Sequence, residues 1–309
     1  MARKVILDVD PGVGDALAVS LALATRELDV VAVLATGGNV SPRQASRNVQ
    51  ALVEHLDPPR WPRIGIALED QPLRTDGREL WGVDGFCGVE LGVVELHQQH
   101  SSVKVLSEEI RAAPGEITVI AGGPLSNIAA LLQLEPDVAL MIGHLMIVGG
   151  TLDGPGDVTA AAEFNIYCDA ISAQRVFRSD ITKTLLPRDV TSRAAMTFDL
   201  LSRLPDESTG QGRVLRALLP GAFHAYRQRV GLEGMFIPEA VAVAIAMRPQ
   251  LLTAESWPCD VETEGALTHG ATVIDRRRHT LERGTMDVGV KLDVRGVADT
   301  VFNGLGCTK

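Results

Sequence analysis

Cysteine is scarce in this chain of 309 residues, and its four cysteines lie far apart. They are Cys87, Cys168, Cys259 and Cys307, which show neither a C-x-x-C pair nor the dense spacing of a disulfide-stabilised domain. This spacing excludes a small disulfide scaffold. We therefore expect free thiols, as in a reducing compartment.

Long apolar runs are also missing, and this absence bears on membranes and secretion. No stretch is long and apolar enough to span a bilayer. The first residues carry only a short apolar run before Asp8, unlike the apolar centre of a signal peptide. We therefore expect a cytoplasmic protein without a membrane partner.

Positive charge is in short supply as well. The chain has 29 Lys and Arg against 39 Asp and Glu, for a formal net charge of −10. Binding to a polyanion needs a cationic surface, so this balance argues against a nucleic-acid partner. It suits a soluble enzyme whose substrate is neutral or is bound with the help of a cation.

Apolar residues, by contrast, make up 46% of the chain, which is enough for a large core in one domain spanning residues 1–309. Short β-branched runs alternate with helical patterns, which predicts an α/β fold with a mostly parallel central sheet and helices on both faces. The predicted strands are 4–7, 30–34, 63–67, 117–120 and 145–148, followed later by strands near 254–262 and 271–276. The predicted helices are 15–24, 42–56, 103–112 and 124–132, with a mainly helical region at 191–248 that includes 214–230 and 238–247.

Two segments read as connections rather than as regular structure. Residues 70–89 combine Pro, Gly and charged residues without a sustained period, which predicts a loop large enough to act as a lid. Residues 205–212 are polar and contain glycine, and we expect a mobile connection there.

The first strand leads into a cluster of acids at residues 8–15. A tight turn places Asp8, Asp10 and Asp15 near the carboxyl end of this strand, where open α/β sheets bind ligands. Crowded carboxylates repel one another unless a cation lies among them, and oxygen ligands favour Ca²⁺ or Mg²⁺. The same residues also fit a surface turn in which an aspartate caps the next helix. This segment alone leaves both interpretations open.

The same segment resembles the start of the inosine-uridine preferring nucleoside hydrolases, whose pattern is Asp-x-Asp-Pro-Gly-x-Asp-Asp. This chain departs from the pattern at Gly14, where the family has the first Asp of the final pair. A haloacid dehalogenase phosphatase also begins with a strand and Asp-x-Asp, but its later Thr/Ser and Lys signatures are not found here in a convincing order. The resemblance implies the nucleoside hydrolase fold, with a Rossmann-like sheet, and continues at residues 38–40, 123–127, 162–165 and 268–275.

The resemblance implies one Ca²⁺ as cofactor, held by Asp10, Asp15, the main-chain oxygen of Ser126 and Glu239. Asp10 would also be the general base that takes a proton from a water on this ion. Glu239 follows Pro238 where the family has His-Asp, and its extra methylene shifts the reach of the carboxylate. Glu239 also fits a first-turn acid that is stabilised by the helix dipole after an N1 proline.

The resemblance assigns Asn39, Glu163 and Asn165 to the sugar hydroxyls, although such polar residues also serve as turn and cap residues. Asp157 stands where the family has Asn, and an ionised acid accepts hydrogen bonds without donating them. The 5′ end of the sugar is therefore expected to be read differently. Gly14 lacks a carboxylate that helps relatives to hold the ribose diol, which predicts a weaker preference for the 2′-hydroxyl.

The leaving base lacks the family's usual acid, because Pro238 stands where that histidine would be. His224, Tyr226 and Arg227 are the candidates for protonating the base, with water as another source, and His224 also fits a surface or packing role. Trp81 fits a ring that stacks on a purine, or one that packs the 70–89 loop onto the body.

Three functions are consistent with these residues. The first is a nucleoside hydrolase that releases a free base and ribose. The second is a hydrolase of another N-glycoside on the same fold, and the third is a catalytically weak protein that binds sugars or nucleosides. The resemblance also implies a homodimer or homotetramer.

Overall fold

The computed structural model describes residues 2–93, 99–277 and 285–307. The strands are β1 Arg3–Val9, β2 Leu28–Ala35, β3 Arg63–Ile66, β4 His100–Ser101, β5 Thr118–Ala121, β6 His144–Val148, β7 Lys183–Leu186, β8 Met196–Thr197, β9 Gly234–Met235, β10 Leu252–Val261, β11 Thr272–Ile274 and β12 Thr285–Leu292. The longer helices are α1 Val13–Ala24, α2 Pro42–Leu56, α4 Ser102–Ala112, α5 Ser126–Leu134, α8 Ala170–Phe177, α11 Gly210–Ala225, α12 Pro238–Met247 and α13 Val294–Gly304. The shorter ones are α3 Arg78–Trp81, α6 Pro136–Ala139, α7 Phe164–Cys168, α9 Arg188–Thr191 and α10 Asp199–Arg203, with a π-helical turn Tyr226–Val230 and a 3-10 turn Pro249–Leu251.

Ten of these strands form one sheet in the order β11-β10-β12-β7-β6-β5-β1-β2-β3-β4. Neighbouring strands are parallel from β4 across to β12, and β10 runs antiparallel to both β12 and β11. The predicted α/β class with a mostly parallel sheet is confirmed. A separate ribbon pairs β8 with β9 inside the region that the sequence predicts to be mainly helical.

The order of the strands creates a crevice at the carboxyl edge of the sheet. From β1 the chain adds β2, β3 and β4 on one side, and it then returns to add β5, β6 and β7 on the other. The connections after β1 and β5 therefore leave the sheet toward opposite sides, which opens a ligand crevice between them. Asp10 follows β1 and Gly122 follows β5, so both lie at this point.

Helices cover both faces of the sheet, as the alternation along β1 shows. Val5 and Leu7 belong to the apolar core that contains α1, α2, α11 and α12, whereas Ile6 belongs to the core that contains α4, α5 and α8. Successive side chains of a strand point to opposite faces, so β1 contributes to two cores. No helix in the described ranges is long and apolar enough to cross a membrane.

Several predicted boundaries differ from the structure in an informative way. The first helix begins at Val13 rather than at Asp15, because Asp15 is its third residue and accepts a hydrogen bond from Gly12 N–H. The 70–89 segment is not all loop, since it contains α3. The expected connection at 205–212 is shorter, because Thr209 caps α11 and the helix begins at Gly210.

Candidate active site

Three acids of the opening segment are almost fully buried at the carboxyl end of β1. Asp8, Asp10 and Asp15 are each 1% exposed, which argues against the surface turn. Asp10 Oδ2 accepts a hydrogen bond of 2.7 Å from Asn39 N–H, and Asp15 Oδ2 accepts one of 3.0 Å from Gly12 N–H. Asp15 therefore caps α1 with one oxygen, while its other oxygen, Oδ1, is buried without a hydrogen-bond partner.

Burial and mutual repulsion disfavour the charged forms of these acids. Burial raises the pKa of Asp15 to about 7, against hydrogen bonds that lower it. The pKa of Asp10 is raised well above its usual value by burial and then by the charge of Asp15. Burial and the charge of Asp15 act on the pKa of Glu239 in the same direction. A cation between these carboxylates would offset both effects.

The donor set fits a hard cation, although the carboxylates do not lie as close together as in a formed metal centre. Asp15 Oδ1 is a buried oxygen without a partner, and Glu239 Cγ would lie 3.3 Å from a Cβ placed on Gly122. Ser126 is the first residue of α5, and its hydroxyl donates to Asp169 Oδ2 at 2.6 Å. Within residues 2–93, 99–277 and 285–307, no three His, Cys, Asp or Glu side chains are spaced as a metal site requires.

A cavity of about 750 Å³ opens at this edge of the sheet. Asp10, Ser126 and His224 are not among the residues that line it, although Asp10 is hydrogen-bonded to the lining residue Asn39. The predicted site residues that line the cavity are Asp15, Asn39, Trp81, Asp157, Glu163, Asn165, Tyr226 and Glu239.

The three residues expected at the sugar line the cavity and also stabilise the local backbone. Asn39 Nδ2 donates to Asp10 O at 3.1 Å, and Asn165 Nδ2 donates to Gly122 O at 2.8 Å. Glu163 caps α7 by accepting from two amides of its first turn. Burial, followed by the charge of Asp157, raises the pKa of Glu163 to about 8. Glu163 is therefore a helix cap, and all three side chains are held at the cavity wall by hydrogen bonds to the backbone.

Aromatic side chains also line the cavity. The rings of Trp81 and Tyr226 lie 5.8 Å apart, centroid to centroid, and Tyr226 meets Phe236 edge-on at 6.3 Å. Tyr226 Oη donates to Phe236 O at 3.3 Å. Trp81 is only 7% exposed and contacts the larger apolar core, so it packs the 70–89 segment onto the body while it lines the cavity.

Arg188 is a cavity residue that the sequence patterns did not single out. Its Nε donates to Asp157 Oδ2 at 2.9 Å, and its guanidinium lies 5.9 Å from the centroid of Phe236. Asp157 is thus paired with a cation, which accounts for an acid at this position. Its position two residues after β7 could have identified Arg188 as a site residue, because residues that follow parallel strands face the crevice.

The structure does not bring His224 to the cavity. His224 is exposed near the end of α11, and Arg227 is exposed on the following turn, where it pairs with Glu233 at 3.3 Å. Of the three candidates for leaving-group protonation, only Tyr226 lines the cavity. Pro238 lines it too, without a donor to offer.

Comparison with known proteins agrees with this architecture over nearly its full length. The model of the inosine-uridine preferring nucleoside hydrolase family matches residues 5–299, and this chain belongs to that family. It is therefore a hydrolase that acts on N-glycosyl bonds.

Two relatives and two solved structures show how far the likeness extends. Non-specific ribonucleoside hydrolases RihC from Salmonella agona (strain SL483) and Escherichia coli O1:K1 / APEC are each 34% identical, covering 98% and 96% of this chain and 97% and 96% of theirs. The structure of a purine-preferring ribonucleoside hydrolase from Gardnerella vaginalis matches with a TM-score of 0.89 at 29% identity and 98% coverage of both chains. A plant nucleoside hydrolase matches with a TM-score of 0.89 at 25% identity and 99% coverage of both chains.

Proposed function

We propose that this protein is a Ca²⁺-dependent hydrolase that cleaves the N-glycosidic bond of ribonucleosides, releasing free base and ribose. The observation that carries the proposal is a cavity lined by both carboxylates and aromatic rings. Asp15 and Glu239 line this cavity together with Trp81 and Tyr226, whose rings offer apolar surface to a planar base. Relatives named as ribonucleoside hydrolases support a ribonucleoside as the substrate.

The residues proposed to hold Ca²⁺ are Asp10, Asp15, Glu239 and the main-chain oxygen of Ser126. These are oxygen donors, as a hard cation prefers, and the unpartnered Asp15 Oδ1 is an oxygen in need of a partner. When bound, the ion supplies positive charge that offsets the crowded carboxylates and lowers the pKa of water at the site.

Asp10 acts in this proposal as the general base. The bond from Asn39 N–H fixes one of its carboxylate oxygens, and the other takes up the proton of the attacking water. The developing sugar has cationic character, so the buried carboxylates also stabilise its charge. Asn39, Glu163 and Asn165 hold the sugar hydroxyls from positions fixed by their backbone hydrogen bonds, and Asp157 faces the 5′ end.

In this proposal the base departs next to the aromatic residues of the cavity. Trp81 and Tyr226 offer ring faces that exclude water and stack on a departing base. With Pro238 in place of a histidine and His224 outside the cavity, the proton for the base comes from water or from the Tyr226 hydroxyl.

The decisive test is release of free base from a panel of nucleosides before and after exhaustive chelation. Ribonucleosides should be hydrolysed, activity should disappear on chelation, and added Ca²⁺ should restore it. Full activity in demonstrably metal-free protein would remove the ion from the proposal. No base release from any nucleoside, with Ca²⁺ bound, would remove the substrate class.

A second candidate, hydrolysis of another N-glycoside, is favoured by one observation, the Arg188–Asp157 ion pair in the substrate cavity. A charged pair at this wall suits a substrate with more polar substituents than a plain nucleoside. The cytoplasmic location and the homodimer or homotetramer stay predictions.

A further inference from the structure

Gly14, in the first turn of α1, lies against the carboxylate of Glu239 on α12. A Cβ placed on Gly14 would stand 2.7 Å from Glu239 Oε2 and 3.5 Å from its Cδ. Non-bonded carbon and oxygen atoms do not approach to 2.7 Å without strain. A side chain at position 14 and the present position of the Glu239 carboxylate therefore exclude each other.

A second glycine borders the same side chain on the β5 side. A Cβ on Gly122 would lie 3.3 Å from Glu239 Cγ and 3.3 Å from Asp15 Oδ1. Neither Gly14 nor Gly122 is among the glycines with positive φ, so their backbone does not require glycine. What both positions supply is room for the Glu239 side chain.

The two helices that carry this pair are fixed by the core. Val13 of α1 and Ala240 and Val241 of α12 are fully buried, in the same apolar cluster. A close-packed core resists any movement of α1 away from α12. An added side chain at position 14 would therefore be accommodated by moving the Glu239 carboxylate, which is the far end of a flexible side chain that lines the cavity.

We propose that Gly14 and Glu239 are a matched pair, in which the missing side chain of Gly14 makes room for a carboxylate that reaches over from α12. Gly14 and Glu239 both differ from the family pattern, and in this proposal the two differences compensate for each other. Residue 14 has no carboxylate of its own, but Glu239 Oε2 lies where a side chain of residue 14 would begin. The metal-binding part of this inference rests on the proposed function, whereas the steric part does not.

The test is a double-mutant cycle with Gly14→Ala and Glu239→Asp, measured without any enzyme assay. In the protein with its own Glu239, Gly14→Ala should weaken Ca²⁺ binding at least about tenfold, as measured by calorimetry. Disturbing a group that supports a metal site typically lowers metal affinity by about 10–100-fold. Gly14→Ala should also lower the Tm of the metal-free protein by about 2 °C. In the Glu239→Asp protein, whose shorter carboxylate is drawn back from position 14, Gly14→Ala should change Kd less than about twofold and should not lower Tm, because Gly→Ala within a helix is by itself neutral or stabilising.

Gly92→Ala is the matched control, because a Cβ there meets no atom within 4 Å. A larger effect of Gly14→Ala in the Glu239 background, in either measurement, supports the pair. Equal effects in both backgrounds, or none in either, overturn it. If Glu239→Asp does not fold, Glu239→Ala provides the second background. If the wild type binds no Ca²⁺, the metal assignment fails while the Tm comparison still decides the pair.

Discussion

The acidic residues of the site, Asp10 and Asp15, and its aromatic residues, Trp81, Tyr226 and Phe236, come from different parts of the fold. Asp10 and Asp15 follow β1 within a few residues, so the parallel sheet places them at the switch point of its strand order. Trp81, Tyr226 and Phe236 come from α3, the π-helical turn and the connection before α12, and they meet through tertiary packing. The sheet therefore fixes the acids, while segments between helices position the aromatic rings.

The largest effect on activity is expected among the acidic residues, from Asp10→Asn. The amide keeps an oxygen for the Asn39 N–H but cannot act as a general base, so kcat should fall by about 10²–10⁴-fold. The Tm of the metal-free protein should hold or rise, because one of the mutually repelling acids becomes neutral. Stopped base-release assays and calorimetry measure both quantities. Asp29→Asn, at a surface ion pair with Arg60, is the control. A loss below about fivefold would take the base role away from Asp10.

A smaller effect on activity, which depends on the substrate, is expected among the aromatic residues, from Trp81→Leu. Leucine retains apolar packing but offers no ring, and stacking on a base is worth about 1–3 kcal/mol. Purine nucleosides should lose about tenfold in kcat/KM, whereas a nitrophenyl riboside, whose leaving group needs little help, should lose much less. The exposed Trp61, changed to Leu, is the control. An equal loss on both substrates would reduce Trp81 to packing of the 70–89 segment.

The acidic and the aromatic residues were predicted from the sequence on different grounds, the first from local pattern and the second from the family resemblance. Strand periodicity is a local signal and parallel strands bring their carboxyl ends to one edge, so the pattern placed Asp10 and Asp15 at that edge, although it left a surface turn open as well. The contact between Gly14 and Glu239 depends on how α1 packs against α12, which no local pattern records. Arg188 was missed for a related reason, since its role depends on Asp157, an acid from a different connection.

The smallest effect is expected from His224→Ala, which separates the cavity from the surface just beyond it. His224 is exposed and does not line the cavity, so kcat/KM for ordinary nucleosides should change less than about twofold. Tyr226→Phe is the informative partner, because Tyr226 lines the cavity and, if its hydroxyl is the acid, the loss of that hydroxyl should slow ordinary nucleosides more than the nitrophenyl riboside. Both variants are compared on both substrates at equal Ca²⁺. A loss above tenfold for His224→Ala, confined to ordinary nucleosides, would make His224 the acid after all. It would also mean that α11 brings this residue to the base in the substrate complex.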